Sequence, residues 1–133
     1  MRLTVHVDGG SRGNPGPAAA AAVVSGPDGA VIACDSVLLG AVTNNVAEYR
    51  GLLLGLELVR SQGASEVEVV NDSELIAKQV NGKYRVKHPD MLPLHAQAMA
   101  ALEAFADWKV RSVPREQNSA ADALVNEALD RAA

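Results

Sequence analysis

Cysteine is nearly absent from this sequence, in which Cys34 is the only one. A single cysteine excludes an intrachain disulfide, and a chain without disulfides is typical of a reducing compartment. We therefore expect a cytoplasmic protein in which Cys34 is a small core residue. Aromatic residues are also scarce, at 3% of the chain, so we expect a core of aliphatic side chains and alanine.

Long hydrophobic runs are missing as well. The longest, residues 18–24, is far shorter than the roughly 20 residues that a membrane-spanning helix needs. No signal-peptide pattern precedes it, so we expect no membrane partner. The net charge of −4 argues against a broadly basic surface for nucleic acid, although it leaves room for a local basic patch or an acidic metal site.

The amino-terminal third of the chain predicts three strands. Leu3, Val5 and Val7 alternate with more polar residues, which is the period of a strand with one buried face. Residues 18–24 and 30–39 predict the second and third strands, because a proline- and glycine-containing turn separates them. Three successive strands with short connections predict an antiparallel meander.

The remainder predicts helices that alternate with two further strands. We expect helices over residues 44–61, 74–80, 91–106 and 119–131, and strands over 66–71 and 108–114. This order predicts a single α/β domain over residues 1–133, with a five-stranded mixed sheet that joins the meander to parallel strands and is flanked by helices. We expect a monomer, either complete or part of a longer chain.

Four acidic residues fall where this fold would bring them to one edge of the sheet: Asp8, Glu48, Asp72 and Asp122. Each has an ordinary alternative explanation. Asp8 suits a turn, Glu48 a capping box with Asn45, Asp72 a helix cap, and Asp122 the first turn of a helix whose cap is Asn118. Carboxylates are also hard oxygen ligands that suit Mg²⁺ or Mn²⁺ rather than zinc. Two such ions can flank a scissile phosphate.

One segment is basic in a chain of negative net charge. Residues 78–89 contain Lys78, Lys83, Arg85 and Lys87 but no acidic residue, with Tyr84 among them. The segment could contact a phosphate backbone while Tyr84 stacks on a base or sugar. It could equally be a solvated loop with ordinary lysines.

Four motifs in sequence order resemble the ribonuclease H type I family over essentially the whole chain. They are Asp-Gly-Gly-Ser-Arg-Gly-Asn-Pro-Gly-Pro at 8–17, Thr-Asn-Asn-Val-Ala-Glu-Tyr at 43–49, Asn-Asp-Ser at 71–73, and Val-Pro-Arg-Glu-Gln-Asn-Ser-Ala-Ala-Asp at 113–122. The resemblance implies a ribonuclease H-like fold and endonucleolytic cleavage of the RNA strand of RNA–DNA hybrids. It implies dependence on two Mg²⁺ ions, with Mn²⁺ as an alternative, and products with 3′-hydroxyl and 5′-phosphate ends.

The resemblance also implies roles for particular residues. Asp8 would bridge both ions, Glu48 and Asp72 would complete the ion on the leaving-group side, and Asp122 would complete the ion that activates water. Asn14, Asn44 and Asn45 match positions that contact the minor groove of the hybrid, where 2′-hydroxyls distinguish RNA from DNA, and Thr43 matches part of a pocket for a DNA phosphate. The full set of candidate substrate contacts is Gly9, Gly10, Ser11, Asn14, Thr43, Asn44, Asn45, Ser73, Glu74, Lys83, Tyr84, Arg85, Lys87 and Asn118.

The sequence departs from the family pattern in two places. Many members carry a loop histidine shortly before the last acid, where this chain has Arg115. Arg115 could act on the leaving phosphate by charge as a catalytic residue, but it cannot shuttle a proton at neutral pH. The basic protrusion of some members is replaced by the short segment 81–90.

The chain further resembles the amino-terminal domain of actinobacterial two-domain proteins, in which a phosphatase-like domain follows. A longer chain would then carry such a domain after residue 133. Two other functions are consistent with the same residues. One is a hybrid-binding module without turnover, and the other is a metal-dependent phosphatase or exonuclease on a related fold.

Overall fold

The computed structural model describes all 133 residues, and its five strands and four α-helices follow the predicted order, with one further 3₁₀ turn that was not predicted. In chain order the elements are β1 (Arg2–Ser11), β2 (Gly16–Ser25), β3 (Val31–Val42), α1 (Asn44–Ser61), β4 (Glu66–Asn71), α2 (Glu74–Val80), α3 (Leu92–Glu103), β5 (Asp107–Ser112), the 3₁₀ turn (Arg115–Asn118) and α4 (Ser119–Ala132). The sheet order is β3-β2-β1-β4-β5. Strands β1, β2 and β3 pair antiparallel, whereas β4 is parallel to both β1 and β5. The predicted meander and mixed five-stranded sheet are therefore confirmed.

Helices cover the two faces of the sheet unequally. Most of the core lies on the α1 face, where aliphatic residues of β1 and β4 pack against α1, α2 and α3. A smaller cluster on the opposite face joins Ala19 and Ala21 of β2 to Val125 and Leu129 of α4. Because alanine fills β2, helices can approach the sheet closely from both sides. None of the helices combines the length and apolar character needed to cross a membrane.

Glycines set the distance between α1 and β1. A Cβ at Gly51 would overlap the main-chain carbonyl of Asp8, and one at Gly55 would overlap the side chain of Val7. From β1, a Cβ at Gly9 would overlap the carbonyl of Ala47 in the same way. The helix therefore lies directly against the strand that carries Asp8.

The expectation for Cys34 is wrong. Cys34 is exposed because it lies on β3, the edge strand of the sheet. Most residues of β3 are exposed, including Val31, Ile32 and Leu38. An edge strand has a neighbour on one side only, so an apolar residue there does not automatically become a core residue.

Candidate active site

The four acidic residues line one open cleft of about 380 Å³. Asp8 lies near the carboxyl end of β1, and Asp72 directly follows the parallel strand β4, so the two strands deliver these residues to the same edge of the sheet. Glu48 lies in the first turns of α1, and Asp122 in the first turn of α4. The topology thus brings together residues separated by more than a hundred positions in the chain.

Burial and mutual repulsion perturb the carboxylates at the centre of this cleft. Asp8 is only 8% exposed. Its burial, followed by the charge of Asp72 and then those of Asp122 and Glu48, raises the pKa of Asp8 to about 8. Burial also raises the pKa of Glu48 to about 7, against the opposing effects of hydrogen bonds from Ser73 and Asn44. The cleft therefore disfavours the charged form of its buried carboxyl groups, a cost that a bound cation would offset.

Three of the four acids share a second, smaller space. Asp8, Glu48 and Asp72 line a pocket enclosed by residues of β1, α1, β4 and α2, and Asp122 does not line it. Asp122 shares only the open cleft with the other acids. Glu48 and Asp72 are therefore grouped with Asp8 in a way that Asp122 is not.

The donor chemistry fits hard divalent cations, because four carboxylates share a single cleft and no cysteine or histidine lines it. No group of three or more His, Cys, Asp or Glu side chains already surrounds a point at which a metal ion could be held. Like charges repel when no cation lies between them, so a divalent cation bound in this cleft would offset the repulsion among the four carboxylates.

The ordinary explanations for Glu48 and Asp72 do not hold. Thr43 is the N-cap of α1, and its hydroxyl accepts a hydrogen bond of 3.3 Å from the amide of Val46. Glu48 instead accepts a hydrogen bond of 3.1 Å from the Asn44 side chain. At α2 the N-cap is Ser73, whose hydroxyl accepts from Ile76. Neither acid is therefore used to cap a helix.

Three of the predicted substrate residues are linked on the rim of the cleft. The main-chain amide of Ser11 donates a hydrogen bond to Oδ1 of Asn44 at 3.3 Å. The main-chain amide of Asn44 in turn donates to Oδ1 of Asn14 at 3.0 Å. The Asn44 side chain is thus in contact with both the glycine-rich turn and Glu48. Thr43 lies in a neighbouring groove that also involves Pro15.

The structure places one predicted substrate contact inside the protein. Asn118 is 1% exposed, and its side-chain amide donates to the carbonyl of Val7 at 2.8 Å. It forms no side-chain cap for α4, so both roles expected of it are corrected to an internal contact. Gly9 lines the cleft, and its lack of a side chain also lets it pack against Ala47.

The basic segment lies outside the acidic cleft. Lys83, Arg85 and Lys87 are exposed. Lys78 instead pairs with Glu74, and it also lies over the ring of Tyr84, 4.9 Å from its centroid. The side chains of Glu74 and Tyr84 are therefore already engaged within the protein.

Sequence reasoning overlooked two polar residues of the cleft, Arg12 and Asn126, and two apolar ones, Val125 and Leu129. Arg12 pairs with Asp130 of α4 at 2.6 Å. The Asn126 side chain donates to the carbonyl of Asp122 at 3.1 Å and lies 3.5 Å from its Oδ2. The i,i+4 spacing between Asp122 and Asn126 was the available signal, since it places both on one side of a helix.

Known proteins have the same fold and are similar to this chain in sequence. A family model described as "Reverse transcriptase-like" matches residues 6–128. The bifunctional protein Rv2228c of Mycobacterium tuberculosis is 46% identical over the whole of this chain, which spans 37% of that protein's length. The crystal structure of RNase H1 from the archaeon Halobacterium salinarum matches with a TM-score of 0.96 and 41% identity, over 98% of this chain and 99% of that one. LC11-RNase H1, solved in complex with an RNA/DNA hybrid, matches with a TM-score of 0.92 and 39% identity, over 98% of each chain.

Proposed function

The chain belongs to the ribonuclease H type I family, and on that premise we propose that it is an endonuclease that hydrolyses the RNA strand of RNA–DNA hybrids. The observation that carries the proposal is the single cleft lined by Asp8, Glu48, Asp72 and Asp122. The similarity to a ribonuclease H1 solved with an RNA/DNA hybrid supports this substrate class. The products would carry 3′-hydroxyl and 5′-phosphate ends.

The four acids are the proposed ligands of two divalent cations, Mg²⁺ or Mn²⁺. The chemistry that such cations supply is activation of the attacking water and neutralisation of charge on the leaving oxygen. By the family resemblance Asp8 would be the ligand shared by both ions, and its buried position in the cleft with the other three acids is compatible with that role. Glu48 and Asp72 would complete the ion on the leaving-group side, and Asp122 would complete the ion on the side of the water.

Residues on the rim would provide the selectivity for RNA. The side chains of Asn14, Asn44 and Asn45 offer both donors and acceptors, which suit the 2′-hydroxyls and base edges of a minor groove. Since Asn44 also donates to Glu48, a hybrid held by Asn44 would lie next to a proposed metal ligand. Ser11 and Gly10 line the same cleft, and Thr43 would contact a phosphate of the DNA strand.

Affinity for the hybrid would come in part from the exposed cations of the 81–90 segment. Lys83, Arg85 and Lys87 have no salt-bridge partner within the chain, so they are available to phosphates. Arg115, at the edge of the cleft, would act on the leaving phosphate by charge. A monomeric state, a cytoplasmic location and a phosphatase-like domain in a longer chain remain predictions.

Cleavage of an end-labelled RNA–DNA hybrid tests the proposal, with Mg²⁺, with Mn²⁺ and with EDTA. Double-stranded DNA, double-stranded RNA and the Asp8→Asn protein are the controls. We expect metal-dependent cuts confined to the RNA strand of the hybrid. Hybrid binding without cutting would favour a binding module, and hydrolysis of small phosphate esters alone would favour a phosphatase.

A further inference from the structure

Two arginines line the acidic cleft, and they have different partners. Arg12 is paired with Asp130, which does not line the cleft. Arg115 is paired with Asp122, a proposed metal ligand, with 3.2 Å between its guanidinium nitrogen and Oδ1. Within the cleft, Arg115 is therefore the cation that neutralises one of the four acids.

The influence of the guanidinium extends beyond its direct partner. The charge of Asp122 and its hydrogen bond raise the pKa of Arg115, and Asp72 and Asp8 contribute in the same direction. Arg115 thus sits in the combined field of three of the four acids. A positive charge in that position reduces the repulsion among carboxylates that share a cleft.

The ion pair is placed so that it can open. The Arg115 side chain is 73% exposed, whereas the side chain of Asp122 is 28% exposed. Exposed ion pairs contribute little to stability because water and salt screen them. Arg115 belongs to a short 3₁₀ turn, so its long side chain can swing towards solvent without disturbing the sheet.

We propose that Arg115 is a displaceable internal counter-ion, which neutralises Asp122 in the metal-free protein and gives up that carboxylate when a divalent cation binds. The inference rests on the proposed function, because it takes Asp122 as a metal ligand. Loading the site breaks the Arg115–Asp122 pair, and the apparent affinity for the metal is reduced accordingly. The released guanidinium is left at the mouth of the cleft, where the scissile phosphate would lie.

Metal binding measured by calorimetry tests this exchange directly, without any turnover. The proteins are the wild type, Arg115→Ala, the charge-retaining Arg115→Lys, and Arg12→Ala, which removes an arginine from the same cleft without touching Asp122. We expect Arg115→Ala to bind Mn²⁺ and Mg²⁺ about 3- to 10-fold more tightly than the wild type. The metal affinity of Arg115→Lys should lie between those of the wild type and Arg115→Ala. Arg12→Ala should change the Kd for the metal by less than about twofold.

Thermal unfolding supplies a second readout. In EDTA the Tm of Arg115→Ala should fall below that of the wild type by about 1 to 4 °C, and the gap should close or reverse at saturating Mg²⁺. An unchanged or weaker metal affinity in Arg115→Ala would overturn the counter-ion role while leaving the proposed function intact. Failure of the wild type both to bind metal and to cut the hybrid would instead overturn the proposed function, and with it the exchange.

Discussion

The side-chain amide of Asn118 donates a hydrogen bond of 2.8 Å to the main-chain carbonyl of Val7. Val7 immediately precedes Asp8, and Asn118 immediately precedes the helix that carries Asp122. One buried bond between residues 111 positions apart therefore links the strand of one proposed ligand to the helix of another. We therefore expect Asn118 to position Asp8 and Asp122 relative to each other.

Removing this bond should impair turnover more than hybrid binding. We expect Asn118→Ala to lower the free energy of unfolding by about 1–3 kcal/mol and to reduce kcat with little change in KM, because α4 can then shift relative to β1. Asn118→Leu, which keeps the approximate size but loses the donor, should behave similarly. The exposed neighbour Gln117 gives a control, and Gln117→Ala should match the wild type. A rise in KM with kcat unchanged would show that Asn118 does not position the acids.

Asp8, the proposed shared ligand, should be indispensable for cleavage. Asp8→Asn removes the proposed shared ligand of both ions, so we expect single-turnover cleavage of the hybrid to fall by about 1,000-fold or more, equivalent to about 4 kcal/mol. The circular dichroism spectrum should be unchanged, since asparagine has the same shape. Near-normal cleavage by Asp8→Asn would rule out Asp8 as the shared ligand.

The metal-free protein should lose stability as the pH rises. The folded chain raises the pKa of Asp8 from 3.8 to about 8, so its contribution to stability is fully present below about pH 4 and is lost as the pH rises through 8. Between pH 5 and 8 we expect a decline of about 1–3 kcal/mol in EDTA, measured by thermal melts. Asp8→Asn should flatten this decline. If stability falls equally steeply with pH in both proteins, then the fold does not raise the pKa of Asp8.

The basic segment should contribute to hybrid binding through charge. Replacing both Lys83 and Lys87 with alanine should weaken hybrid affinity. It should also lower the slope of log Kd against log salt concentration by about 1 to 2, because a protein that makes fewer phosphate contacts releases fewer counterions when it binds. Arg60→Ala combined with Lys109→Ala removes the same charge outside the segment, and it should leave the slope unchanged. Identical slopes for the two double variants would make the segment an ordinary solvated loop.

Gly51 should tolerate no side chain. In an unconstrained helix, Gly→Ala stabilises by about 1 kcal/mol, but a Cβ at Gly51 overlaps the carbonyl of Asp8. We therefore expect Gly51→Ala to destabilise the protein by about 1–3 kcal/mol and to displace Asp8, measured by urea unfolding and hybrid cleavage. The exposed residue Glu57 on the same helix serves as a control, since Glu57→Ala should change stability by less than about 0.5 kcal/mol. A more stable Gly51→Ala would mean that the helix can move away from β1.

Local pattern was enough to predict the elements and their order. The alternation of Leu3, Val5 and Val7 fixed β1, because side chains of a strand alternate between its faces. Turn residues between the apolar runs separated the strands, and the positions of all five strands followed with ends shifted by a few residues. The motifs that hold the acids are short and contiguous, so the sequence alone also identified the four acids among the residues that line the cleft.

Contacts between distant segments were beyond the reach of such patterns. Asparagine at position 118 looks like a helix cap in sequence, and only the approach of α4 to β1 turns it inward to Val7. Cys34 became exposed because β3 has no neighbour on its outer side, and Arg115 found Asp122 through the fold of the 3₁₀ turn. Local periodicity reports which side of an element is apolar. What that side meets depends on how elements far apart in the chain pack, and that packing was decided by the tertiary structure.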